Sequence, residues 1–87
     1  MMKMEVSLQD IANPKDGELE AELSGRSIAA LKNKLENAIL KLAATRRKFG
    51  YFDVFVMFTE NGEYIDSDEM GIFYCNAELG YIALVND

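Results

Sequence analysis

Asp66-Ser67-Asp68-Glu69-Met70-Gly71 is the densest run of possible oxygen ligands in the 87-residue sequence. Its Asp-x-Asp start and sixth-position glycine match the first half of a calcium-binding loop. Such a loop also needs oxygen ligands at its fifth and twelfth positions, and here those are Met70 and Ala77. The run therefore reads as a polar bulge at a strand kink. Paired carboxylates could also serve acid–base catalysis, but only where apolar surroundings split their pKa values, and nothing nearby in sequence supplies these. Cys75 is the only thiol and there is no histidine. With no imidazole to activate it, Cys75 reads as a small buried hydrophobe in a strand. The lack of histidine also removes the commonest general base and imidazole metal ligand. The glycines stand singly at turns, without the spacing of a nucleotide-binding loop. The chain is expected to be non-catalytic, with no cofactor and no resident metal.

Charge is more informative. The sequence has 9 Lys and Arg against 15 Asp and Glu, for a net −6. Seven of the nine cations fall between Arg26 and Lys48, where Glu36 is the only acid. Residues 49–87 have no Lys or Arg at all. Lys34, Lys41 and Lys48 recur every seven residues, and with Arg46 and Arg47 they could contact nucleic acid. The overall acidic balance argues against a general affinity for DNA or RNA and suits a basic partner.

These residues must be positioned by local elements. Met2, Met4, Val6 and Leu8 alternate with polar residues, which predicts a half-buried strand over 2–9. Asn13-Pro14-Lys15-Asp16-Gly17 is a turn. A second strand follows, with Leu19, Ala21 and Leu23 on one face and Glu18, Glu20 and Glu22 on the other. Glutamates there suit an edge strand. Ser27 is a good N-cap for one long helix, 27–48, whose apolar face holds Ile28, Leu31, Leu35, Ala38, Ile39 and Leu42. Arg46, Arg47 and Lys48 suit its C-terminus, and Gly50 sits where a left-handed C′ residue is expected. Ala29, Leu40 and Ala44 form a small apolar sector on its outer side. Residues 51–59 form an aromatic strand, Asn61-Gly62 a type I′ hairpin turn, and 63–65 with 72–76 an interrupted return strand with a bend at Gly71. A loop at 77–80 leads to an uncharged final strand, 81–85, expected inside the sheet or covered on both faces.

The order β-β-α-β-β-β, joined by short turns, predicts an α+β domain over 1–87: an antiparallel sheet of about five strands with one long amphipathic helix packed on one face. The expected strand order is second, first, fifth, fourth, third. Apolar content of 49% with 28% charge is ordinary for a globular domain. One cysteine permits no internal disulfide, Glu5 interrupts any secretory apolar run after Met1, and no segment has the roughly 20 apolar residues of a membrane span. A cytoplasmic setting is expected.

One helix covers one sheet face. Phe55, Met57, Tyr81, Ala83 and Val85 would then form an apolar patch on the other, with Tyr64 and Tyr74 at its border. Asp53, Glu60, Glu63, Asp66, Asp68, Glu69 and Glu78 would supply an acidic rim. An aromatic centre with a charged rim is how protein interfaces are built. The alternative is a sheet curled on itself so that both faces are buried. The expected function is a small acidic binding protein, an inhibitor or adaptor, that engages a basic, nucleic-acid-binding protein surface. Phage anti-restriction and anti-CRISPR proteins share this small, acidic build. The analogy rests on composition and size alone. The competing expectations are a nucleic-acid-binding accessory module using helix 27–48, and a homodimeric scaffold or small-ligand module joined through the sheet face or an edge strand.

Overall fold

Apolar residues at every second position of the first strand need a cover on one side only, and the computed structural model, which describes residues 1–85, provides it. The elements are β1 (Met2–Asp10), a single 3-10 turn at Pro14–Asp16, β2 (Glu18–Gly25), α1 (Ile28–Asn33), α2 (Leu35–Ala44), β3 (Phe49–Glu60), β4 (Glu63–Asn76) and β5 (Tyr81–Leu84). All neighbouring strands are antiparallel, in the order β2-β1-β3-β4-β5. The helical layer lies on one face, giving the two-layer α+β architecture.

The core lies between that layer and the even-numbered side chains of β1 and β3. Met4 pairs with Phe58, Val6 with Val56 and Leu8 with Val54, and all six are buried. Phe73 and Cys75 of β4 extend the layer. From above, Leu31, Leu35, Ile39 and Ala43 close it at successive i+4 positions. Leu40 also packs against this core, so the outer apolar sector expected around it does not form.

The helix differs from the single 27–48 rod in two ways. Ser27 caps it as expected, its Oγ accepting from the Ala30 N–H at 3.1 Å. At Lys34 the ladder tightens: the Lys34 N–H bonds to the Leu31 carbonyl, i to i−3, before Ala38 to Lys34 restores α geometry. The helix then stops at Ala44. The Thr45 hydroxyl donates to the Leu42 carbonyl at 2.7 Å, and the Arg46 and Arg47 amides close on Ala43. Gly50 is not a left-handed C′ residue; it pairs with Cys75 inside β3.

The strand order is also corrected. β3, expected at an edge, is central, and β5, expected inside, is an edge. The expected order rested on β5 being uncharged. However, β5 spans only four residues and covers only Phe73–Asn76 of β4. β4 is continuous through Asp66–Glu69 rather than interrupted, with register shifts opposite Val54/Phe55 and Phe58/Thr59. Gly71, at φ +98°, sits at the first shift, as its sequence position suggested. Asn61 and Gly62 both have positive φ, as the hairpin requires.

Candidate protein-interaction surface

Odd-numbered residues of β1 and β3 face away from the helices, and the register sets them in rows. One row runs Glu18, Gln9, Asp53, Ile72; the next Glu20, Ser7, Phe55, Glu69; the third Glu22, Glu5, Met57, Ser67. Ser24, Lys3, Thr59 and Tyr64 follow toward the β3–β4 hairpin. At the opposite end Tyr51, Tyr74 and Ala83 share a row beside Phe49, Asn76 and Tyr81. The Tyr51 and Tyr74 rings lie 5.2 Å apart and those of Tyr74 and Tyr81 6.2 Å, a tilted ladder across three strands.

This face is open: Phe55 is 39% exposed, and Tyr51 and Tyr81 are about half exposed. The curled sheet with two buried faces does not occur among the described residues. Six carboxylates occupy the rows around Phe55: Glu5, Glu18, Glu20, Glu22, Asp53 and Glu69. Lys3 is the one cation among them, 3.4 Å from Glu22. Glu5 and Glu22 stand directly opposite each other across the β1–β2 ladder, a like-charge pairing that costs stability. Around Phe55, residues Ser7, Gln9, Glu18, Asp53 and Glu69 line a depression of about 170 Å³. That is below the roughly 300 Å³ of the smallest small-molecule sites. It has room for the head of one side chain.

The residues expected to form the surface are therefore divided. Asp53, Phe55, Met57, Glu69, Tyr81, Ala83, Tyr64 and Tyr74 share the open face. Asp66 and Asp68 pair with Phe58 and Val56 and so belong to the helix side. Their position in a strand also removes the loop that a calcium site would need. Glu60 and Glu63 flank the hairpin turn, and Glu78 lies in the β4–β5 turn. Glu5, Glu18, Glu20 and Glu22 are members of the open face that sequence reasoning placed elsewhere. Alternation gave their direction, but only the adjacency of β1 to β3 brings them to Phe55. Tyr51, likewise, becomes part of the surface only through its pairing with Tyr74.

The basic residues of the 34–48 segment lie on the helical side. Arg47 reaches from the end of the helix to Asp10, with Nη2 2.9 Å from Oδ2. Asp10 is only 1% exposed, and its Oδ1 accepts the Ala12 N–H at 3.0 Å. With its amide turned to satisfy both ends, Asn13 also accepts from Arg47. Gly50 makes room for this reach: a Cβ there would stand 2.6 Å from Arg47 Cδ. Arg46 pairs with Asp16 at 3.6 Å, and Lys34 Nζ donates to the Ser24 carbonyl at 3.2 Å. Of the five cations expected as a nucleic-acid contact, Lys41 and Lys48 make no ion pair or side-chain hydrogen bond among the described residues.

Cys75 is 2% exposed in β4, and burial pushes its thiol up to about 11, so it is protonated and inert near neutrality. No helix among the described residues is long and apolar enough to cross a membrane. Compared with family models, curated proteins and solved structures, the chain matches none.

Proposed function

We propose that this protein is a small, non-catalytic, cytoplasmic binding module that engages a basic protein surface through its open sheet face. The supporting observation is Phe55 set among six carboxylates with one lysine, on a face that the helices leave uncovered. An exposed aromatic anchor offers area, and the surrounding carboxylates select a positively charged partner and repel acidic ones. A nucleic-acid-binding groove is the basic surface such a face suits best, because carboxylates can stand where phosphates would. Phage anti-restriction and anti-CRISPR proteins share its small, acidic build. The alternative helix surface has less to offer, with Arg46 and Arg47 both engaged within the molecule.

The test is capture of host proteins from lysate at low salt on the tagged chain, in parallel with Glu20→Lys/Asp53→Lys and Lys41→Glu. The expected result is a basic protein retained by the native chain and by Lys41→Glu and lost with the double variant. Recovery of no basic protein, or equal retention by the double variant, counts against the sheet face. Salt-sensitive binding of duplex DNA that weakens in Lys41→Glu would favour the helix instead.

A further inference from the structure

The two edges of the sheet are built differently. The β2 edge shows Glu18, Glu20 and Glu22 at alternate positions, charge that discourages pairing with another strand. The outer side of β4 before Ile72 carries Glu63, Asp66, Asp68 and Glu69 and two register shifts, which also discourage it. β5 has neither protection. Residues 81–85 are Tyr-Ile-Ala-Leu-Val, with no charge, proline or register shift, and Tyr81 and Leu84 are 53% and 47% exposed.

The direction of the β5 backbone groups can be assigned. The Val85 N–H donates inward to the Ile72 carbonyl at 2.8 Å. Alternation along an antiparallel ladder then turns the N–H and C=O of Tyr81 and Ala83 inward as well, and those of Ile82 and Leu84 outward. Among the described residues, no strand pairs with that outer side.

We propose that β5 pairs with β5 of a second copy, antiparallel about a two-fold axis at Ala83. A two-fold centred on one residue sets Ile82 opposite Leu84 of the second copy, and Leu84 opposite its Ile82. The outward groups of one chain therefore meet those of the other in four hydrogen bonds. Ala83, the smallest side chain of the strand, meets its own copy in the close non-hydrogen-bonded pair at the axis. Tyr81 meets Val85 of the second copy on the open face. The absence of charge suits this register, because no like charges meet across the seam. The two-fold also closes: it joins two five-stranded sheets into one of ten and leaves the acidic β2 edge at both ends, so growth stops at a dimer. The open acidic faces of the two copies become one surface of twice the width. The pairing does not depend on what that surface binds.

A four-to-five-residue strand seam lies at the small end of stable interfaces, so association in the micromolar range (about 1–100 μM) is expected. Each copy carries −6, so added salt should tighten the dimer by screening that repulsion. The experiment is sedimentation equilibrium of the full chain from about 1 to about 500 μM, in low and high salt. Ala83→Lys and Ala83→Glu each place like charges at the axis and should each weaken the dimer at least tenfold. Mixing the two variants should restore it as a heterodimer. Leu84→Pro removes one outward N–H per chain without touching the ladder to β4, and should weaken the dimer in the same sense. Circular dichroism of each variant checks that it is folded. A chain that stays monomeric across the range, a dimer unaffected by both Ala83 variants, or no recovery on mixing would each overturn the proposal. Larger assemblies at high concentration would overturn its closed symmetry.

Discussion

At the scale of single residues, the least replaceable contact is the ion pair under the helix end. Asp10 continues the even-numbered parity of Met2, Met4, Val6 and Leu8, so its burial was implied by the same alternation that marked the strand. A carboxylate in that position needs a partner, and the two arginines after the helix were the candidates. Local rules instead make them cations that suit the helix dipole, and Gly50 a left-handed stop. Both are overridden by a tertiary contact that needs space for the Arg47 stem. Removing Arg47 leaves a buried charge unpaired. Arg47→Ala should cost about 3–5 kcal/mol by urea denaturation, and Asp10→Leu/Arg47→Met should recover most of it. Gly50→Ala should destabilise by pushing the Arg47 stem aside, and its effect should largely vanish in an Arg47→Ala background. Cys75 was legible from its strand position. Its raised pKa means that the native state resists forming the thiolate. That contribution to stability is intact below the ordinary thiol value of 9.0 and is lost as pH rises through about 11. At pH 8, Cys75 should react with Ellman's reagent only at the rate at which the chain opens.

At the scale of elements, the strands, their faces and the tight turns could be read directly. Each depends on residues within a few positions of one another, such as Asn61-Gly62 at the hairpin or Ser27 at the helix start. Gly62, at φ +86°, should not tolerate a side chain: Gly62→Ala is expected to cost about 1 kcal/mol in thermal or urea melts. Strand order was not readable, because it depends on which edges meet after the helix returns the chain. An uncharged β5 suggested an interior strand, whereas its four-residue length makes it an edge. If β5 pairs with its own copy, composition and position agree after all. The open face was half legible for the same reason. Phe55, Met57 and Asp53 were found along one strand, but the glutamates of β2 and β1 reach them only through the β1–β3 seam.

At the scale of the molecule, charge is separated across the two layers, with Lys41 and Lys48, which have no ion pair among the described residues, on the helical side and six carboxylates on the other. A basic partner would be drawn toward the correct face before contact. Its association rate should fall steeply with salt while its dissociation rate changes little, as stopped-flow binding would show. The crowding of Glu5 against Glu22 is a stability cost on that face. Glu5→Gln should raise stability by about 0.2–1 kcal/mol and slow partner association, a trade measurable on one variant. Finally, β1 joins β3 through residues 42 to 58 positions apart in the chain, whereas β1–β2 and β3–β4 are local hairpins. Each hairpin can form early, but the buried seam of Val6 against Val56 must wait until a long intervening segment has been closed. Assembly of this sheet should therefore be limited by how fast its two halves find each other. Val6→Ala and Val56→Ala should slow refolding in chevron experiments more than substitutions in β5 do.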